Sequence, residues 1–362
     1  MIIITVRDNL GKFWRAFTKI KGVREMIGFR KFSLTLLIFM LVLTAAACGN
    51  DTDAKPAAGS GEKYSFKLAH ITPTDHMWHK AAEKFKEELE KNSDGRMTVE
   101  IYPASQLGSE ADMVQQISSG SVDFGLITAA YMSSRAPAFT AWFAPYAFED
   151  LKETNAARDT EIAKKILATL DDQGLKGLDY LFAGNRVMLF KDKEVKKPED
   201  MKGLAFRVTP SPPLQDFYKS LGASPESLPL PEVYAAVQTG VIDGMDMDLD
   251  ATITNKYHEV AKYAAVTNHM VWPSVAIMNK DKYEKLSDGD KKIVEDAIKV
   301  AADYSANTRA SQEEEFKKTL SDTGMKVYEI NQKLFEPYIK QFDEKYGPTD
   351  PLIQEFIDTF RK

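Results

Sequence analysis

Apolar and polar positions follow two rhythms along most of this chain. Phe66, Leu68 and His70 alternate with Lys67, Ala69 and Ile71, a period of two that predicts a strand, ended by Thr72-Pro73. Trp78 to Lys91 then repeats at helical spacing. Ala81, Ala82, Phe85 and Leu89 fall on one side and Lys and Glu on the other. Asp94-Gly95 marks a turn, and Met97, Val99 and Ile101 predict a second strand. Ser109 to Ser118 predicts a helix closed by Gly120, after which Val122, Phe124 and Leu126 begin a third strand.

The same order returns later. Leu204 to Val208 predicts a strand followed by Thr209-Pro210, and Leu214 to Leu221 a helix stopped by Gly222. Ala223 to Leu228 is a short extended piece, Glu232 to Thr239 a helix closed by Gly240, and Val241-Ile242 the start of a strand. Gly120-Ser121-Val122-Asp123 parallels Gly240-Val241-Ile242-Asp243. Two β-α-β-α-β units, one per domain, account for this echo. Such alternation predicts parallel α/β sheets, which bind ligands at the carboxyl ends of their strands. With two domains, the expected site is the cleft between them. Between Gly289 and Gly324 there is neither Gly nor Pro, and Ile293, Val294, Ala297, Ile298, Ala301 and Tyr304 keep helical spacing. A helix of about 34 residues, roughly 50 Å long, would cross both domains.

The N-terminal segment has a different character. Leu34 to Ala47 is a nearly continuous apolar run, preceded by Arg30-Lys31 and ending in small residues before Cys48. A helix of about 14 residues rises only ~21 Å against a hydrocarbon layer of ~30 Å, so the run predicts a cleaved signal peptide rather than a membrane span. Ala45-Ala46-Ala47-Cys48 resembles the lipobox of bacterial lipoproteins, although the family usually has Leu where Ala45 stands. The resemblance implies lipidation of Cys48. An uncut anchor and cleavage elsewhere are the alternatives. The expected division is a signal peptide over 1–48, with Met26 as the natural start, and a flexible tether over 49–63, where Gly, Ala, Ser, Asp and Pro dominate.

Composition narrows the function further. The chain has 362 residues, of which 44% are apolar, which suits two globular domains. The formal charge is −6 and no basic stripe follows residue 31, which argues against a nucleic-acid partner. A single cysteine excludes an intrachain disulfide and a Cys-based metal cluster. Phosphate-binding loops and a nucleophile elbow are missing, so neither an enzyme nor a cofactor is expected. His76 and His79 lie three apart at a helix start, where packing competes with metal ligation. Asp246, Asp248 and Asp250 alternate with apolar residues and would share one face of a strand, either around a cation or in hydrogen bonds.

Three spaced stretches carry a family resemblance. They are Tyr102-Pro103-Ala104-Ser105-Gln106-Leu107-Gly108-Ser109-Glu110, Pro198-Glu199-Asp200-Met201-Lys202-Gly203-Leu204-Ala205-Phe206-Arg207-Val208, and Glu232-Val233-Tyr234-Ala235-Ala236-Val237-Gln238-Thr239-Gly240-Val241-Ile242-Asp243-Gly244. In this order they resemble the TRAP-transporter substrate-binding proteins, the DctP family or solute-binding protein family 7, from about Tyr64 to the C-terminus. The resemblance implies a two-domain, periplasmic-binding-protein-like (type II) α/β fold with a long domain-bridging helix. The expected domains are 64–184 plus 272–312 and 185–271 plus 313–362. It also implies capture of a small organic acid, a sugar acid or a C4-dicarboxylate, by domain closure and its delivery to a TRAP permease. A ligand-binding sensory module for a membrane receptor is the competing reading. The expected location is extracytoplasmic, lipid-anchored to the cell membrane.

The resemblance also names residues. Arg207 takes the place of the arginine that holds the ligand carboxylate, for which a guanidinium offers a planar fork of donors. Without the resemblance, a structural ion pair is its plain alternative. Arg186, after Gly184-Asn185, takes the place of a second contacting arginine. Asp246 stands where many relatives have an acidic residue, although Met247 replaces their Asn. It is expected to accept hydrogen bonds from ligand hydroxyls or to brace Arg207. His70, Thr72 and Glu110 are expected to face the cleft from the first domain. Tyr131 and Trp272, with Trp142, are expected either as aromatic walls or as core.

Overall fold

The computed structural model describes residues 61–361. The signal segment, Met26, Cys48 and nearly all of the tether lie outside the described residues. The first half runs β1 (Tyr64–His70), α1 (Met77–Asn92), β2 (Met97–Tyr102), α2 (Glu110–Ser118) and β3 (Phe124–Thr128). Then come α3 (Ala129–Ser133), α4 (Leu151–Ala157) and α5 (Glu161–Ala168), with a 3-10 helix at Pro137–Phe143, and the long strand β4 (Leu175–Phe190). The second half runs β5 (Ala205–Val208), α6 (Pro212–Ser220), β6 (Ser224–Ser227), α7 (Leu230–Thr239), β7 (Gly244–Asp248) and α8 (Leu249–Thr254). The chain closes with β8 (Tyr263–Val266), β9 (Val271–Asn279), α9 (Lys280–Lys285), α10 (Asp288–Asp322), β10 (Lys326–Glu329), α11 (Glu336–Tyr346) and α12 (Pro351–Phe360).

The two halves repeat one plan. The strands follow the path β2-β1-β3-β9-β4-β7-β5-β6, with β8 beside β4 and β10 beside β8. β1 pairs parallel with β2 and β3, and β5 pairs parallel with β6 and β7. The sequence echo has a physical basis in the turn before the third strand of each unit. Asp123 Oδ2 accepts the Lys67 amide at 2.7 Å, while the Asp123 amide donates to the Lys67 carbonyl. Asp243 Oδ2 accepts the Ala205 amide at 2.8 Å, and the Asp243 amide donates to the Ala205 carbonyl. Each aspartate ties the third strand of its unit to the first. Gly240 closes α7 at φ +77°, where a side chain would be strained.

Two strands cross between the halves. Leu175 to Asn185 of β4 pairs antiparallel with β9, and Arg186 to Phe190 pairs with β7. The switch falls at Gly184, where φ is +138° and the β9 register slips. α10, 35 residues long, lies over the switch. Its Ser305 donates to the Phe182 carbonyl at 2.9 Å, and its buried Arg309 donates to the Ala183 carbonyl at 2.7 Å. α10 packs on α1 and β4 toward one half and on α8 and β10 toward the other. This is the long bridging helix expected from the Gly- and Pro-free run.

Three details differ from the sequence reading. Antiparallel crossing strands join the parallel units, which period counting does not register. β7 starts at Gly244 rather than Val241, because Gly240 to Asp243 forms the turn that Asp243 anchors. The reading also assigns 313–362 to the second domain, whereas α12 packs on α5 and the 3-10 helix of the first half. There Phe356 meets Trp142 at a ring separation of 5.1 Å. Trp142 is thus core, surrounded also by Tyr180 and Phe182.

Gly244 opens β7 where no side chain fits. A Cβ there would lie 2.6 Å from the Leu189 carbonyl oxygen and 2.9 Å from the Phe206 ring. The carbonyl belongs to a central strand and cannot yield freely. Gly244→Ala is expected to cost about 1–3 kcal/mol, the usual range for overpacking a dense core. Urea unfolding of both proteins measures it.

Candidate functional site

The cleft forms where the carboxyl ends of the strands of both halves meet, as expected for open α/β sheets. It encloses a cavity of about 290 Å³. β1 delivers Ile71 and Thr72 at its end, and α2 delivers Glu110 at its first turn. Ser109 caps α2, with its hydroxyl and the Asp112 carboxylate exchanging hydrogen bonds with each other's backbone amides. Tyr131 comes from α3, Trp272 from β9, Arg186 from β4 just past the switch, and Arg207 from β5.

The two arginines are buried but unequally neutralised. Arg186 Nε meets Asp246 Oδ1 at 2.9 Å, and its Nη1 meets Asp248 Oδ2 at 3.2 Å. Its guanidinium carbon stacks 3.8 Å from the centre of the Trp272 ring, a cation–π contact. Arg186 Nη2 is buried without a hydrogen-bond partner among the described residues. Arg207 is 2% exposed and, among the described residues, has only backbone acceptors. Its Nε donates to the Leu228 carbonyl at 3.0 Å and its Nη1 to the Asp246 carbonyl at 3.5 Å. Among the described residues no carboxylate forms an ion pair with it. Burial lowers the Arg207 pKa to about 10, which still leaves it charged at neutral pH. A buried cation without a counter-ion is costly, and an anionic guest relieves that cost.

Glu110 is the opposite case. Its Oε1 accepts the Thr128 amide at 2.6 Å and its Oε2 the Thr128 hydroxyl at 3.0 Å. Burial raises its pKa to about 7, against the pull of the two Thr128 bonds and of Arg207. It is therefore part-neutral near physiological pH, which limits how much it compensates Arg207.

Of the eight ligand-contact residues expected from sequence, Arg207, Arg186, Thr72, Glu110, Tyr131 and Trp272 lie in the cavity wall. His70 and Asp246 do not. The reading puts His70 in the cleft, but it is fully buried behind Thr72. There its Nδ1 lies 3.0 Å from the Thr72 hydroxyl and its Nε2 3.0 Å from His79 Nδ1. Period-two counting cannot say which end residue of a strand clears its neighbours. Asp246 likewise sits under Arg186, so the residue it braces by ion pair is Arg186, and Arg207 touches only its carbonyl. Asp248 and His76, which the reading did not place in the site, do reach the wall. The alternation of Asp246 with Asp248 was the available signal for the first. Asp250 lies one element further, in α8, where its Oδ2 accepts the Met77 amide at 2.9 Å. The aspartates thus serve hydrogen bonds, and among the described residues no cluster of His, Cys, Asp and Glu is arranged to hold a metal ion.

Residues 68–349 match the family described as bacterial extracellular solute-binding protein, family 7. The chain belongs to that family. Family 7 membership makes it a TRAP-type extracytoplasmic solute receptor, as the three motifs implied. The sialic acid-binding periplasmic protein SiaP of Vibrio cholerae is 28% identical over 325 residues, 88% of this chain and 97% of that protein. The C4-dicarboxylate-binding periplasmic protein DctP of Rhodobacter capsulatus is 29% identical over 73% of this chain and 79% of its own length. A TRAP periplasmic solute-binding protein of Sulfitobacter, crystallised with bound β-D-galacturonate, superposes with a TM-score of 0.77 at 26% identity. The match covers 82% of this chain and 99% of that one. The type II, two-domain family 7 architecture carries the present site. Among the described residues no helix is long and apolar enough to cross a membrane.

The Glu110 shift has a consequence for stability. Its folded pKa of about 7 lies above the ordinary 4.5, so between those values the folded protein holds a proton that the unfolded chain has lost. The wild type should therefore lose stability relative to Glu110→Gln as pH rises from 4.5 to 7. Urea melts of the two proteins at pH 5 and pH 8 read the difference.

Proposed function

We propose that this receptor captures a small organic acid by seating its carboxylate on Arg207, closes two lobes around it, and presents it to a TRAP permease without chemical turnover. The carrying observation is the buried Arg207 guanidinium, which donates to backbone carbonyls and, among the described residues, forms no ion pair with a carboxylate. A carboxylate matches its planar fork with two charge-assisted hydrogen bonds. Related proteins named for C4-dicarboxylate binding or crystallised with galacturonate make dicarboxylates and sugar acids the first classes to try.

Closure is supported by contacts that reach across the cleft. Asp250 of α8 accepts the first amide of α1, and the Ser133 and Ser211 hydroxyls meet at 2.8 Å. In this reading residues 64–184 plus 272–312 move against 185–271 plus 313–350, with α12 riding on the first lobe. The bending points are the β4 switch at Gly184 and the start of β9. We further infer that cleavage before Cys48 and lipidation of its thiol hold the receptor at the outer face of the cell membrane.

Arg207→Ala is expected to weaken binding of the captured acid at least 100-fold in calorimetry while its circular dichroism stays native. Unchanged affinity would remove Arg207 from the site. Cys48→Ser is expected to move the protein from the membrane fraction to the soluble fraction of cells expressing the full-length chain. Continued sedimentation with membranes would refute the lipid anchor.

A further inference from the structure

We propose that the cleft is built for a monocarboxylate with a mainly hydrocarbon body and at most one further acceptor oxygen beside the carboxylate. It would take such an acid in preference to a polyhydroxylated or dicarboxylic one. The inference rests on Arg207 as the carboxylate holder and adds the character of the rest of the ligand.

Charge limits the number of carboxylates to one. Arg186 and Arg207 are the two guanidinium groups of the wall, and Arg186 is already paired with both Asp246 and Asp248. Of the two, only Arg207 lacks an ion-pair partner among the described residues. A second ligand carboxylate would therefore meet a cation that is already neutralised, with Asp248 and Glu110 also in the wall. Losing hydration without gaining a new ion pair makes that arrangement unfavourable.

Much of the remaining wall is apolar. Ile71, Trp78, Tyr131, Leu230, Pro231 and Trp272 contribute large carbon surfaces from both lobes. Many of the polar side chains between them are turned to protein partners. The Thr72 hydroxyl meets His70 Nδ1 at 3.0 Å, and the Thr128 hydroxyl donates to Glu110 Oε2 at 3.0 Å. The Ser109 hydroxyl donates to Asp112 at 2.7 Å, and Asp248 accepts from both Arg186 and the Ala251 amide. Three buried polar atoms of wall residues have no hydrogen-bond partner among the described residues: Arg186 Nη2, Trp78 Nε1 and Ser105 Oγ. The first two can only donate. The wall therefore has buried donors to spare for an acceptor oxygen, while its two carboxylates, Glu110 and Asp248, already accept from protein groups at each oxygen. A sugar acid would bury several O–H donors here and lose the hydrogen bonds they make to water. A hydrocarbon body loses nothing polar and gains from burial.

The test is calorimetry on the purified full-length chain at pH 6 with 4-methyl-2-oxopentanoate, succinate and D-galacturonate. The branched oxo acid is expected to bind at least 10-fold tighter than either of the others. Ile71→Gln and Leu230→Gln, on opposite lobes and only part-buried, are each expected to weaken it about 10-fold while circular dichroism stays native. Tighter binding of succinate or galacturonate overturns the inference, as does binding of none of the three. So does an unchanged affinity in both glutamine variants. Arg207→Ala separates the two levels of the argument. If it abolishes binding of succinate or galacturonate, the carboxylate holder stands and only the hydrocarbon body is refuted. If it leaves the tightest acid unaffected, the Arg207 reading itself fails.

Discussion

A buried guanidinium that, among the described residues, forms no ion pair with a carboxylate is the constraint on which this receptor is organised. Arg207 sits at the end of β5, desolvated enough to lower its pKa, and its only protein acceptors among the described residues are the carbonyls of Leu228 and Asp246. Carbonyl dipoles orient the group but do not cancel its charge. Nearby Arg186 has two aspartates and an aromatic face, so its charge is already spent. This asymmetry leaves one strong anion site in the cleft. The cost of keeping Arg207 dry falls when a carboxylate arrives, so desolvation that would otherwise only destabilise the fold becomes selectivity for a ligand.

The surrounding fold keeps that site in place from both sides. Each half is a β-α-β-α-β unit whose third strand is tied to its first by an aspartate, Asp123 or Asp243. The ties fix where each parallel strand ends, and strand ends are where the wall residues emerge. Between the units, β4 changes partners at Gly184 under the hydrogen bonds of Ser305 and Arg309 from α10. Arg186 lies two residues beyond that glycine. The bridging segment and one of the two arginines are thus parts of one short stretch of chain.

Much of the site was legible in the chain. Arg207, Arg186, Thr72, Glu110, Tyr131 and Trp272 all reach the cavity; the family resemblance named the two arginines, and punctuation such as Thr72-Pro73 marked the strand ends and helix starts from which others emerge. His70 and Asp246 were misjudged for a common reason. Both lie one position from a wall residue on a strand, and only packing decides which neighbour is covered. Asp248 belongs to the site because β4 runs antiparallel to β7, which sets Arg186 opposite it. Nothing in the local pattern specifies that pairing.

Local chemistry written in the order of residues determined the two repeated units, the 35-residue helix, the motif around Arg207 and the family to which they belong. These features depend on periodicity, glycine and proline positions, and contacts a few residues apart, all of which survive in a linear string. Tertiary structure alone decided which arginine is neutralised, which residues stand behind the wall, and that α12 returns to the first half. Those outcomes depend on the pairing of segments far apart in sequence. Charge compensation and burial are properties of such neighbours in space.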